Sequence, residues 1–101
     1  MQHRDLIVGM VRLHILHHAV EGTIYGQEII EELGRHGYRV SAGTIYPLLH
    51  SMERKGYLRS DHSDRNGRAV RMYRATPAGR KALHEAKGFI RELFDELVGD
   101  G

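Results

Sequence analysis

Ser41-Ala42-Gly43-Thr44-Ile45-Tyr46-Pro47-Leu48-Leu49-His50-Ser51-Met52-Glu53-Arg54-Lys55-Gly56-Tyr57-Leu58 is the stretch on which the fold turns. Ile45, Leu48, Leu49 and Met52 make one apolar stripe at helical spacing. A helix with one buried face is therefore predicted, running from Ser41, a good N-cap, to a stop at Gly56. Gly43, Thr44, Tyr46, Pro47, His50, Ser51 and Arg54 fall on the opposite arc. Such a helix packs by one side and offers hydroxyls, an imidazole and a guanidinium from the other. Pro47 has no N–H to donate inside this helix, so a kink or loosening of its first turns is expected.

Downstream of Gly56 the period changes from helical to extended. Tyr57–His62 and Ala69–Ala75 read as two strands, and Asn66-Gly67 between them is a strong two-residue hairpin signal. Thr76-Pro77 then opens a last helix, with Thr as N-cap and Pro at the first helical position. It is predicted to reach about Val98, a length of roughly 33 Å. Leu83, Ala86, Ile90, Leu93 and Leu97 recur at spacings of 3, 4, 3 and 4, a coiled-coil seam, with Phe89 and Phe94 beside it.

Upstream, Asp5 to Val20 reads as a first helix that is apolar around nearly its whole circumference, leaving only Asp5, Gly9 and Arg12 as a narrow polar face. A helix of that kind should be buried on all sides, and in so small a chain this points to a second subunit. Gly22 breaks it, and Thr23 is the predicted N-cap of a second helix that turns Ile29, Ile30 and Leu33 inward and stops at Gly37. Tyr38–Val40 is a short extended piece. The expected fold class is mainly α (α+β): a winged helix-turn-helix over residues 1–76, followed by a C-terminal dimerisation helix over 77–101.

With 101 residues, 41% of them hydrophobic and 28% charged, the chain fits one domain with a modest core. The net charge of +2 hides a segregation. Residues 1–33 carry −3, residues 34–81 carry +8 and residues 82–101 carry −3. A basic middle between acidic ends points to a polyanionic partner. The absence of cysteine excludes disulfides, thiolate metal sites and cysteine nucleophiles. There is no Gly-rich phosphate loop and no nucleophile–base constellation, so an enzyme is not expected. No signal-peptide pattern opens the chain, and its longest apolar runs are three residues, so a cytoplasmic location without a membrane partner is expected.

Three segments carry a family resemblance across about four fifths of the chain. Ser41–Leu58 resembles the recognition-helix block of the PadR family of transcriptional regulators, whose Tyr-Pro step inside the helix sets it apart from other winged-helix families. Tyr73-Arg74-Ala75-Thr76-Pro77-Ala78-Gly79-Arg80-Lys81-Ala82-Leu83 resembles that family's strand-to-helix junction. Gly22-Thr23-Ile24-Tyr25-Gly26-Gln27-Glu28-Ile29 resembles the start of its second helix, although Tyr25 stands where His is common and Gln27 where Tyr is common. The resemblance is to the short subfamily, in which a single C-terminal helix crosses the dimer. It implies a homodimeric repressor that binds a palindromic double-stranded DNA operator and releases it when a small-molecule effector binds.

The expected DNA-contacting residues are Ser41, Gly43, Thr44, Tyr46, Pro47, His50 and Arg54 on the third helix, with Arg65, Asn66 and Arg68 at the wing. Helix-start N–H groups at Gly43 and Thr44 suit phosphate, and Thr44, Tyr46 and His50 suit base edges or sugars. The plain alternative is a solvated helix face and a solubilising loop, or a winged helix used only for protein contacts. The expected dimer interface is Leu6, Met10, Leu13, Leu83, Ala86, Phe89, Ile90, Leu93, Phe94 and Leu97. Of the eight histidines, His14, His17 and His18 cluster on the first helix. His14 and His18 lie one turn apart, but with no HExxH pattern and no accompanying carboxylate, interface or surface histidines are expected ahead of a metal-sensing or pH-sensing site. No cofactor and no metal are expected.

Overall fold

The computed structural model describes residues 3–99. Met1, Gln2, Asp100 and Gly101, the outer ends of the two predicted segments, lie outside the described residues. The apolar stripe read from the sequence is the centre of the fold: α3 (Ala42–Arg54) buries Ile45, Leu48, Leu49 and Met52. Around it pack Val11, Ile15, Leu16 and Ala19 of α1 (Arg4–Glu21), and Ile29 and Leu33 of α2 (Gly26–Arg35). Leu58 of β2 (Leu58–Arg65), Tyr73 and Ala75 of β3 (Arg68–Ala75), and Leu83 of α4 (Pro77–Val98) close the core. Each fully buried Leu or Ile of this set contributes about 1.5–3 kcal/mol relative to exposure.

The sheet has three antiparallel strands in the order β1-β3-β2, where β1 is Ile24–Tyr25. The short strand therefore precedes α2, where the sequence reading placed it at Tyr38–Val40. Ile24 sits opposite the buried Tyr73 and Tyr25 opposite Met72, so cross-strand burial captures a segment that Thr23 was expected to cap. Tyr38–Val40 forms no strand; it leaves α2 through Gly37 (φ 89°), the expected stop, with Tyr38 N donating to Leu33 O at 2.9 Å. The hairpin strands also run further toward the turn than predicted. Their register continues from Leu58↔Ala75 to Arg65↔Arg68, closed by Asn66 (φ 54°) and Gly67 (φ 75°), the two left-handed residues of a type I′ turn.

α3 continues through Pro47 as one helix and ends at Arg54, just short of the expected Gly56. The carbonyl left without a donor by Pro47 is that of Gly43, an exposed residue in the first turn, where solvent can satisfy it.

The junction between the hairpin and α4 has little room to vary. The Thr76 hydroxyl accepts from Gly79 N at 3.0 Å, as expected of the N-cap, and donates to Gly56 O at 2.5 Å. Thr76 N donates to Tyr57 O at 3.0 Å. A Cβ on Gly79 would stand 2.2 Å from that same carbonyl oxygen, so only glycine lets α4 dock there. The expected consequence is that Gly79→Ala lowers stability by about 1–3 kcal/mol through overpacking. Gly88→Ala, with nothing within 4 Å of the new methyl, should raise it by up to about 1 kcal/mol. Thermal unfolding of the two variants with unchanged circular dichroism of the folded state checks the contrast.

Candidate nucleic-acid interface

Because its apolar stripe is inside, α3 turns Gly43, Tyr46, Pro47, His50 and Arg54 outward, while Thr44 is half-buried. Ser41 takes the extended N-cap conformation, but its hydroxyl makes no capping bond; its carbonyl accepts from Thr44 N and Ile45 N, both at 3.0 Å. Arg4, at the start of α1, reaches Thr44 Oγ1 at 3.3 Å and adds a cation beside this helix start. Tyr46 does not simply project. Its ring lies so close over α2 that a Cβ on Gly26 would stand 2.4 Å from it, so the tyrosine spans the outer face of α3 and the start of the preceding helix.

The wing comes to the same side of the molecule. Tyr46, Gln27, Arg65, Arg68 and Arg71 line one open cleft of about 740 Å³ between the start of α2, α3 and the hairpin. The two wing arginines differ in state. Arg65 pairs with Glu28 Oε2 at 2.8 Å and lies 4.2 Å over the Tyr25 ring, whereas Arg68 has no ion-pair partner among the described residues. The Arg65 side chain thus anchors the turn end of the hairpin on α2 and β1, a role the turn signal alone did not suggest. Arg71 was missed by the sequence reading although strand alternation places it on the face of Tyr73 and Ala75, one step beyond the core. Arg4 had no sequence signal, since it is brought to Thr44 only by the packing of α1.

A second surface lies on the far side of α1. Leu6, Met10, Phe89, Ile90, Leu93, Phe94, Leu97 and Val98 are all exposed, with Phe89 at 75% and Leu97 at 71%. Leu13 and Ala86 are half-buried. Leu83 is 6% exposed and belongs to the chain's own core, so its predicted interface role gives way to intramolecular packing. The chain by itself buries only the Val11, Ile15, Leu16 and Ala19 face of α1 and leaves Leu6 and Met10 exposed. Between α1 and α4 runs an apolar groove of about 650 Å³, floored by Met10, Leu13, Ile90 and Leu97, with His14, His17 and Tyr38 along one wall.

The histidine cluster is larger than the sequence suggested and it does have carboxylates. His14 stacks 5.6 Å from His36 and lies 5.0 Å from the Tyr38 ring. Glu32 Oε1 is 3.2 Å from His36 Nε2 and 3.9 Å from His18 Nε2, and Glu21 Oε1 is 3.4 Å from His17 Nε2. The carboxyl of Glu32 is held below its ordinary range by its hydrogen bonds from Arg35 and His36.

Comparison with known proteins agrees with this geometry. A profile of the family described as the transcriptional regulator PadR-like family matches residues 15–85. Transcriptional regulator Rv3488 of Mycobacterium tuberculosis (strain ATCC 25618 / H37Rv) is 54% identical over 96 residues, covering 95% of this chain and 90% of that protein. Among solved structures, a PadR family transcriptional regulator from Eggerthella lenta DSM 2243 is similar with a TM-score of 0.81 at 28% identity, over 92% of this chain and 82% of its own. A PadR-like transcriptional regulator from Bacillus cereus strain ATCC 14579 is similar with a TM-score of 0.79 at 27% identity, over 96% and 98%.

The position of His14 gives the protein a measurable pH response. Burial, then the neighbouring imidazoles of His36, His18 and His17, hold its pKa below the ordinary 6.5, against a smaller opposing pull from Glu32. Lys87, across the groove, adds a further positive charge to the same wall. The unfolded chain therefore binds more protons than the folded one as pH falls through the histidine range. In chelator-treated protein, stability is expected to be highest above pH 6.5 and to decline as pH drops from there toward the depressed folded value. His14→Gln should flatten that decline, as read by melting temperature across pH.

Proposed function

The chain belongs to the transcriptional regulator PadR-like family, and on that premise we propose that it is a homodimeric repressor that reads a palindromic operator. It is not an enzyme. In this reading α3 enters the major groove with Ser41, Gly43, Thr44, Tyr46, Pro47, His50 and Arg54, and the hairpin tip at Arg65, Asn66 and Arg68 follows the backbone. The observation that carries it is the meeting of Tyr46 of α3 with Arg65, Asn66, Arg68 and Arg71 of the hairpin around one cleft, which shares no residue with the apolar groove. Phosphate contacts from the wing position the protein and base-edge contacts from α3 supply preference. A two-fold between subunits would set half-sites about 34 Å, or a multiple of that, apart.

The apolar face of α1 and α4 supplies the dimer contact. Left open, it would be a contiguous hydrophobic patch of a kind that soluble monomers rarely carry. The division into a reading head over residues 1–76 and a dimerisation helix over 77–101 follows, with the first turns of that helix shared with the core. The groove beside Phe94 and Tyr38 is the place for a small apolar effector, whose binding would alter how the two heads are spaced. A cytoplasmic location accords with a regulator of transcription; no helix among the described residues is long and apolar enough to cross a membrane.

Two experiments test this reading. Tyr46→Phe, which keeps the ring against Gly26 and removes only the hydroxyl, and Thr44→Ala should each lower specific affinity by about 1–3 kcal/mol if they meet base edges. Arg68→Ala should instead flatten log affinity against log salt by about one unit with preference retained. Arg65→Ala should flatten it less, because Glu28 already neutralises that charge. Fluorescence-anisotropy titrations on the DNA upstream of the protein's own gene, at several salt concentrations, decide the matter, and unchanged affinity in all four variants would remove α3 and the wing from the contact.

The dimer is tested separately by light scattering. Leu93→Glu with Leu97→Glu is expected to convert a dimer to monomer and to abolish cooperative operator binding. A native chain that stays monomeric at micromolar concentration would overturn the proposed assembly.

A further inference from the structure

The histidine cluster at the α1–α2 contact contains two pairs of potential ligands, each one helical turn apart. His14 and His18 stand at i and i+4 on α1, and Glu32 and His36 at i and i+4 at the end of α2. Residues four apart share a helix face, so each pair presents two donor atoms side by side, and the packing of the helices brings the pairs together. We propose that His14, His18, Glu32 and His36 form a binding site for a divalent transition cation of the zinc class, clamping α1 to α2.

The distances favour this composition. Tetrahedral ligand atoms about 2.0–2.1 Å from zinc stand about 3.4 Å from one another. Glu32 Oε1 already lies 3.2 Å from His36 Nε2 and 3.9 Å from His18 Nε2. Imidazole ring centres on one such ion stand about 5 Å apart, and the His14 ring is 5.6 Å from that of His36 and 6.5 Å from that of His18. Glu32 and His36 thus already stand at ligand spacing, and side-chain rotation of His14 and His18 toward them would complete the set. Arg35 occupies the other oxygen of Glu32, with its Nε at 3.1 Å, and so turns Oε1 toward the histidines. His18 and Glu32 are about three quarters buried, at 23% and 27% side-chain exposure, which limits their freedom before an ion arrives.

Three imidazoles and a carboxylate, with no thiolate, suit zinc, cobalt or nickel and not calcium or magnesium. His17, His18 and Glu21 also place donor atoms within 4.8 Å of one another. That set is the more compact as the side chains stand, but it lies on α1 alone, and His17 and Glu21 are 46% and 64% exposed, so it would hold an ion at the surface without joining the two helices. Sharing His18, the two sets compete for one ion. The inference does not depend on DNA binding, since its test reads the metal alone.

The test uses the full chain without an affinity tag, stripped with chelator and titrated with Zn²⁺ by calorimetry and with Co²⁺ by visible ligand-field absorption. One ion per chain is expected, with the intense Co²⁺ bands of a tetrahedral site and a metal-dependent rise in melting temperature. His18→Ala and His36→Ala should each weaken binding at least about tenfold, whereas the paired His17→Ala, Glu21→Gln variant should stay near wild type. His36 is 52% exposed, so its variant keeps the fold and carries the test even if His18→Ala does not. Absence of Zn²⁺ heat and Co²⁺ bands overturns the proposal. So does loss of binding in the His17, Glu21 variant with retention in His36→Ala, which would put the ion on α1 alone, and so does binding that survives every substitution.

Discussion

Burial of Ile45, Leu48, Leu49 and Met52 beneath α1, α2 and the hairpin is the constraint from which the rest of the molecule follows. A thirteen-residue helix with one apolar stripe has one way to face inward, and turning it there puts Thr44, Tyr46, His50 and Arg54 outward or at the edge together. The residues before and after it are then set by what the stripe needs as neighbours. Leu58 must return to the core, so the chain reverses at Gly56, whose φ of 86° accommodates the turn. Removing one of these buried side chains costs about 2–5 kcal/mol, a large share of the 5–15 kcal/mol by which a domain of this size is stable.

The charges are arranged with the same economy. Arg65 and Arg68 stand directly opposite each other in the hairpin register, an unfavourable like-charge pair if both were unattached. Glu28 and the Tyr25 ring take up the first, which relieves the repulsion and fastens the turn end of the hairpin to α2 and β1. What remains free is a single guanidinium near the tip, on the same side as α3. Glu53 similarly accepts from both Ser60 N and Ser60 Oγ, tying the end of α3 to β2, while Arg71 donates to that serine at 2.9 Å. Polar bonds between α3 and the hairpin thus hold the two in a fixed relation.

The apolar groove has the reverse character. The first turns of α4 are locked by Thr76 and Gly79 onto the Tyr57 carbonyl, and that junction sets the direction in which the distal turns leave the core. Their apolar residues are largely exposed, and with Met10 and Leu13 of α1 they bound the groove. His14 and His17 belong at once to this groove and to the cluster around Glu32. An event at the groove and an event at the α1–α2 contact would therefore be felt by the same side chains.

Much of this was legible in the sequence. The α3 stripe, the type I′ turn at Asn66-Gly67, the Thr76-Pro77 helix start and the Gly37 stop are each local, because hydrophobic period, left-handed φ and capping depend on neighbours within a few residues. The basic middle segment and the PadR-like blocks were legible for the same reason. Other features needed the folded chain. β1 exists only because Tyr73, 49 positions from Ile24, offers an edge to pair with. Leu83 reads as seam but packs as core, since periodicity does not say which subunit's atoms a side chain meets. The pairing of Arg65 with Glu28, the approach of Arg4 to Thr44 and the convergence of His14, His18, Glu32 and His36 all join residues from different elements. Sequence spacing determines which side of its own element a residue occupies; only tertiary packing decides what lies across from it.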